Sequence, residues 1–363
     1  MNLQKERNNF IQKLTNPTEK EIADKTYSFA LFTANIKKFM PSLDKSKYKE
    51  LFEEFLYFKW MSGLEQYSME YLRTSKIINH SSINLNNLKQ KQPLIFASFH
   101  FGSFRLFNSV LFELGHKIVI IIDDTIVQQQ KDDLLNKVKP LLKAKDQSDF
   151  IILSVQDRKS IFRLKNLISE GYIMTVYLDG NMGVDMKSQD FSKGFIPINF
   201  LNQEIFVKNG ISKLAVLLSA KIVPVISYRN NEENSVIEFC EEISIDSYPN
   251  KNDFIFKAIQ DSYKILENKI HESPTQWTSW ITLQNLFLRD YSTSFSKNKF
   301  LLNKFNDERY SLFTVKNSYF IFDLIDYKSY PIDKKLANSI KSNNYKEIDK
   351  ILISELQEKN III

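Results

Sequence analysis

Four histidines and one cysteine, His80, His100, His116, His271 and Cys240, hold most of this chain's capacity for proton transfer or nucleophilic attack near neutral pH. None is spaced with another His, Cys or carboxylate as a metal site requires, so no metal is expected. The sequence also has no phosphate-binding Walker loop, no dinucleotide glycine fingerprint and no Gly-x-Ser-x-Gly elbow, and no redox cofactor is expected. His100 stands apart by context. It follows the apolar run from Leu94 to Phe99 and precedes a segment, Gly102 to Leu114, that reads as a helix with Gly115 as its C-cap. Such a junction sets a side chain at the carboxyl edge of a sheet. A helix start there would disfavour imidazolium and keep His100 able to accept a proton. Gly102 would allow a substrate close approach, and amides near Gly102 and Ser103 would face a developing oxyanion. A strand-end histidine with no task is the plainer alternative from position alone.

The elements that must position His100 alternate along the chain. Strands are expected at 94–99, 117–122, 150–155, 172–178, 221–228 and 236–239. Helices are expected at about 129–145, with Pro140 as a kink, and at 159–169, 208–220 and 254–271. This alternation predicts an α/β fold, a mostly parallel central sheet flanked by helices. Before it, residues 1 to about 77 read as an N-terminal helical layer. Thr18 and Glu21 have capping-box spacing, and apolar residues recur helically from Leu51 to Tyr67. Residues 79–93 are Asn-rich and read as a connector. The aperiodic stretch from Gly180 to Gly194 follows a strand end directly, which suits either a substrate loop or a plain surface loop. From residue 308 the order changes to short strands (310–315, 319–324, 327–331) and then two helices, the last from Tyr345 to Glu358. The division expected is 1–90 helical layer, 91–290 α/β core, and 291–363 linker and small C-terminal α+β module.

The chain has 363 residues, a formal charge of +6 and a pI near 8.9. That mild excess suits an acidic partner such as a carrier protein, a coenzyme phosphate or an anionic membrane surface. No dense basic stripe points to nucleic acid, and none is expected as a partner. One cysteine permits no internal disulfide, and a reducing compartment follows most simply. No signal peptide and no spanning helix is read, so a cytoplasmic or membrane-peripheral protein is expected.

Several motifs, in order, carry a family resemblance. Ser98-Phe99-His100-Phe101-Gly102-Ser103-Phe104-Arg105 resembles the signature of the lysophospholipid acyltransferase superfamily, nearest its bacterial lipid A acyltransferase branch. Tyr177-Leu178-Asp179-Gly180-Asn181-Met182-Gly183, Lys193-Gly194-Phe195-Ile196-Pro197, the 207–228 segment and Gln276-Trp277-Thr278-Ser279-Trp280 resemble its later blocks. The resemblance covers about residues 20–290. It implies fatty acyl transfer from an acyl carrier protein (acyl-ACP) or acyl-coenzyme A (acyl-CoA) to a hydroxyl or amine, with His100 as general base. Two departures stand out. The family's acid, five residues after the histidine, is Arg105 here, so Asp123, Asp124 or Asp179 is expected to replace it, unless the site is inactive. The membrane helix usual at the N-terminus of the lipid A branch is also missing.

The site expected is therefore His100 and Asp179 as catalytic residues. Gly102, Ser103, Arg105, Gly180, Asn181 and Lys193 are expected to contact substrates, with Arg105 or Lys193 holding a phosphate or carboxylate. The C-terminal module resembles the winged-helix-like recognition domain, similar to the pyrroloquinoline quinone chaperone, of ribosomal-peptide modifying enzymes. That implies a precursor peptide as acceptor, bound through residues 308–363 by strand addition. The alternatives are a lysophospholipid or glycolipid at a membrane surface, and an inactive homologue that only binds acyl chains or a partner.

Overall fold

In the computed structural model the residues described are 3–15, 18–66, 68–88, 92–122, 150–154, 159–180, 191, 194–288, 304–315 and 317–363. The expected helix at 129–145, and Asp123, Asp124, Asn181 and Lys193, lie outside them. Contacts divide the chain into two compact units, Met1–Glu6 with Glu53–Ser279, and Arg7–Phe52 with Trp280–Ile363. The sequence reading instead cut the chain into three consecutive pieces.

The first unit is built on a seven-stranded sheet. Its strands are β1 (Lys76–Asn79), β2 (Leu94–Ser98), β3 (Lys117–Ile122), β4 (Phe150–Ser154), β5 (Tyr172–Tyr177), β8 (Lys221–Arg229) and β9 (Ser235–Phe239), ordered β1-β9-β8-β2-β5-β3-β4. From β8 to β4 the strands are parallel; β9 runs against β8, and β1 runs with β9. Buried on both faces, the central strands need apolar residues at every position rather than alternation. Leu94-Ile95-Phe96-Ala97-Ser98 is buried throughout.

Helices α3 (Tyr48–Glu65), α4 (Met69–Thr74), α5 (Leu106–Glu113), α6 (Lys159–Ser169), α7 (Gly210–Leu218) and α8 (Lys251–Glu272) supply the rest of the regular structure around it. The helical layer expected to about residue 77 breaks after α3, where Ser68 accepts the Tyr71 N–H and starts α4 afresh. β1 falls partly in the expected connector. An unexpected hairpin, β6 (Phe195–Phe200) with β7 (Gln203–Lys208), turns through Leu201 and Asn202, both at positive φ as a tight two-residue turn demands.

Two helices precede α3, namely α1 (Leu3–Thr15) and, in the second unit, α2 (Glu19–Phe39). The latter opens with the expected capping box: Thr18 Oγ1 accepts the Glu21 N–H, and the Glu21 carboxylate accepts the Thr18 N–H. The C-terminal segment forms an antiparallel sheet of β10 (Tyr310–Val315), β11 (Ser318–Asp323) and β12 (Ser329–Ile332), followed by α9 (Lys334–Ser342) and α10 (Lys350–Glu358). The strands-then-helices order is as expected. The last helix starts at Lys350 rather than Tyr345, because Asp349 caps it. α2 packs on β10, with Tyr27 and Phe313 rings 4.9 Å apart and the outward Thr314 N–H bonded to Thr26 Oγ1 at 3.2 Å. At the other edge Asp323 N–H reaches Lys328 O, and the antiparallel alternation then turns Ser329 and Pro331 outward.

Candidate functional site

Parallel pairing of β2 with β5 builds the site. Ile95 faces Met174 and Ser98 faces Tyr177, an offset of 79 residues, and the Leu178 N–H extends the ladder to Ser98 O. Two residues past both strand ends the same offset brings His100 beside Asp179. The His100 backbone N–H reaches both carboxylate oxygens, at 3.1 and 3.2 Å, and its Nδ1 lies 2.7 Å from Oδ1.

Asp179 is sealed from solvent, whereas the imidazole is 28% exposed. Two further donors hold the carboxylate: Trp277 Nε1–H at 2.9 Å and Ser279 Oγ–H at 3.1 Å, both to Oδ2. Burial opposes the charge, but the nearby imidazole and these hydrogen bonds outweigh it and hold the Asp179 carboxyl below its ordinary range. An ionised carboxylate only accepts, so Nδ1 must be the nitrogen that carries the proton. Nε2 is then left with its lone pair free to take one.

The ring is held by aromatic neighbours as well. Tyr177 and Phe104 each lie 4.7 Å from it, centroid to centroid. Tyr177 is pinned in turn, accepting from Asn108 Nδ2 at 3.0 Å and donating to Phe104 O at 3.1 Å. Burial pushes its phenol far above the usual range, so it remains a donor. The His100 carbonyl accepts both the N–H and the hydroxyl of Thr278, each at 3.0 Å. Phe200 packs on Trp277 and Tyr263, and Tyr263 on Phe99, which fixes the indole that addresses Asp179.

The imidazole opens onto an apolar cavity of about 320 Å³. Its lining crosses the carboxyl ends of β5, β3 and β4 through Val176, Leu178, Ile121, Ile122 and Ser154, with Ile161 and Leu164 from α6 and Ile211 and Leu214 from α7. Gly180 also lines it, in a position where a methyl group would sit 3.7 Å from His100 Cε1.

Three expected contact residues have other tasks. α5 begins at Leu106, not near Gly102, so its amides do not face His100 from that position. The Gly102 N–H is bonded to Gln276 O at 2.9 Å. Its φ is +50°, and a Cβ would come within 2.7 Å of Ser227 O and Tyr228 Cα; the glycine serves close backbone packing instead of substrate approach. Ser103 is buried, its hydroxyl 3.0 Å from Ser235 Oγ. Arg105 lays its guanidinium on the Phe104 ring and extends toward Ser62 on α3, with Nη1 3.4 Å from O and 3.3 Å from Oγ. Trp277, Ser279, Thr278, Tyr177 and Phe104 are positioning residues that the sequence reading gave no role. The block around Trp277 resembled the family's, but nothing in it announced a partner 98 residues upstream. Among the described residues no cluster of His, Cys, Asp or Glu could hold a metal ion.

Residues 67–289, more than half of the chain, match the family described as "Bacterial lipid A biosynthesis acyltransferase". No curated relative matches the chain in sequence. Among solved structures the chain is similar to the 1-acyl-sn-glycerophosphate (LPA) acyltransferase PlsC from Thermotoga maritima. Identity is 10% and the TM-score 0.32, over 69% of this chain and 96% of that one.

Proposed function

The chain belongs to the bacterial lipid A biosynthesis acyltransferase family and is an acyltransferase, and from that premise we propose that His100 and Asp179 carry the transfer. The supporting observation is the 2.7 Å contact from His100 Nδ1 to a buried, ionised carboxylate, which leaves Nε2 free on a residue that lines an apolar cavity. Nε2 takes the proton of an acceptor hydroxyl or amine as that group attacks the carbonyl of an acyl thioester. The new acyl–oxygen or acyl–nitrogen bond forms, the carbon–sulfur bond breaks, and the imidazolium returns the proton to the leaving thiolate. Asp179 stabilises the imidazolium in between, the part the family assigns to the position that Arg105 occupies here. The donor is an acyl-ACP or acyl-CoA whose chain fills the cavity, and no cofactor is required. Gly180 stands beside the reacting ring and, with Asn181, is assigned to the acceptor; Lys193 is assigned to a phosphate or carboxylate of donor or acceptor.

For the acceptor we favour a lysophospholipid or glycolipid at a membrane surface. No described helix is long and apolar enough to cross a membrane, so such an acceptor would be met from the side. The reading of residues 308–363 as a precursor-peptide site is weaker. One edge of their sheet carries Thr314, whose N–H is used by Thr26, and the other turns Pro331, which has no N–H, outward.

The test is product mass spectrometry with acyl-CoA and acyl-ACP donors, offering lysophospholipids, glycolipids and peptides as acceptors. Transfer by the wild type, lowered by roughly a hundred- to ten-thousand-fold in His100→Ala, is the expected result. Equal transfer by both proteins would remove His100 from the chemistry.

A further inference from the structure

The two helices that line the cavity, α6 and α7, have a distinct composition at their exposed positions. On α6, Phe162 is 74% and Ile161 43% exposed, and on α7 Leu217 is 50% exposed. Arg163 and Lys165 flank the first pair, Lys213 stands one turn from Leu217, and Lys208 enters α7. All four cations are exposed, none makes an ion pair among the described residues, and neither helix contains an acidic residue. Ile161 and Lys208 also line the cavity that ends at His100. Large apolar side chains exposed in water cost free energy and mark a surface that is covered in use.

We propose that the α6–α7 face is a docking surface for an anionic lipid bilayer, with Phe162, Ile161 and Leu217 inserting between headgroups and Arg163, Lys165, Lys208 and Lys213 resting on them. Two properties favour a bilayer over an acidic protein. The apolar side chains stand on helices whose charged residues are all cations, the composition of an interfacial helix. Three of the four cations are lysine, which protein interfaces deplete and interfacial helices collect. Docking here turns the cavity mouth toward the membrane, so that an acyl chain passes between cavity and bilayer without crossing water. This last step rests on the acyl-transfer reading; the docking itself does not.

Flotation of the full-length protein with phosphatidylcholine vesicles and with equimolar phosphatidylcholine–phosphatidylglycerol vesicles tests it. Binding is expected to the second and to weaken with added salt. Phe162→Ser is expected to weaken it at least about tenfold, and Lys165→Glu and Lys213→Glu by roughly fivefold each. These positions are exposed, so circular dichroism should be unchanged. Ile351→Ser, which removes another exposed apolar side chain, on α10 at 72% exposure, should bind as wild type. Absence of binding to either vesicle, or equal binding by wild type and Phe162→Ser, overturns the proposal. So does a loss of affinity for acyl carrier protein in these variants with vesicle binding intact, which would give the face to the donor. A protein that binds vesicles but transfers no acyl group keeps the docking surface and loses the proposed chemistry. Transfer to soluble acceptors without vesicle binding does the reverse.

Discussion

Two buried aspartates, one in each compact unit, are saturated with hydrogen bonds and differ in a single respect. Asp323, at the end of β11, accepts from Arg309 Nε and Nη2 on Oδ2, at 3.0 and 2.8 Å, and from the Ile325 and Asp326 N–H groups on Oδ1. Asp179 accepts from the His100 backbone and ring, from Trp277 and from Ser279. The first network closes on itself: Arg309 is a permanent cation that spends its remaining reach on Asp326. The second ends in a ring with one further nitrogen, and that nitrogen meets a cavity. Burial and hydrogen-bond count alone would have marked both as sites. The distinguishing observation is a titratable partner with an unused acceptor facing space large enough for a substrate.

The comparison can be broken most severely at Asp179. Asp179→Asn should lower turnover about a thousandfold, because an amide can present its NH₂ to Nδ1 and leave Nε2 protonated. A lower melting temperature with near wild-type turnover per folded molecule would make Asp179 another Asp323. Asp323→Asn is the reciprocal test. It takes one of two carboxylates from Arg309, with Asp326 remaining, and should cost about 2 kcal/mol of stability, read as a lower melting temperature, while turnover per folded molecule is kept. A large kinetic defect there would erase the distinction. The smallest effect is expected from Trp277→Phe, which keeps an aromatic ring but removes one donor to Oδ2. Loss of a bond to the charged form raises the Asp179 pKa. In the wild type that pKa is lowered, so the stability it brings is complete above about pH 4, the ordinary carboxylate value, and is lost as pH falls through the folded-state value. The variant should lose activity at a higher pH on the acid side, with roughly tenfold lower turnover at neutrality. An unmoved acid limb would mean that the indole N–H does not tune the carboxylate.

Much of this site was legible at its strand ends. The apolar run to Phe99 and the run closing at Leu178 located His100 and Asp179 each at the carboxyl edge of a parallel sheet. What the sequence lacked was the register. No local pattern states that β2 pairs with β5 at a fixed offset, and without it Asp123 and Asp124 stood beside Asp179 as candidates for the acid missing at Arg105. The Gly102 reading failed for a related reason. Its positive φ fits a turn before a helix, but the backbone that crowds it comes from β8, more than a hundred residues away. The hairpin around Leu201 escaped because a leucine at positive φ carries no turn signal. The C-terminal module was read correctly as strands followed by helices, since each of its elements has its own local period. Its packing on α2 joins segments far apart in the chain and left no local trace.

The chain separation within the dyad's network also sets when the site can exist. Ser279 follows Asp179 by 100 residues, which is about 5–20 s of ribosomal synthesis. Until then the nascent chain holds a carboxylate destined for burial but missing two of its donors. Competence to react is therefore conferred only once Ser279 has been made, and a chain cut short before Trp277 would carry both dyad residues without the setting that makes them useful.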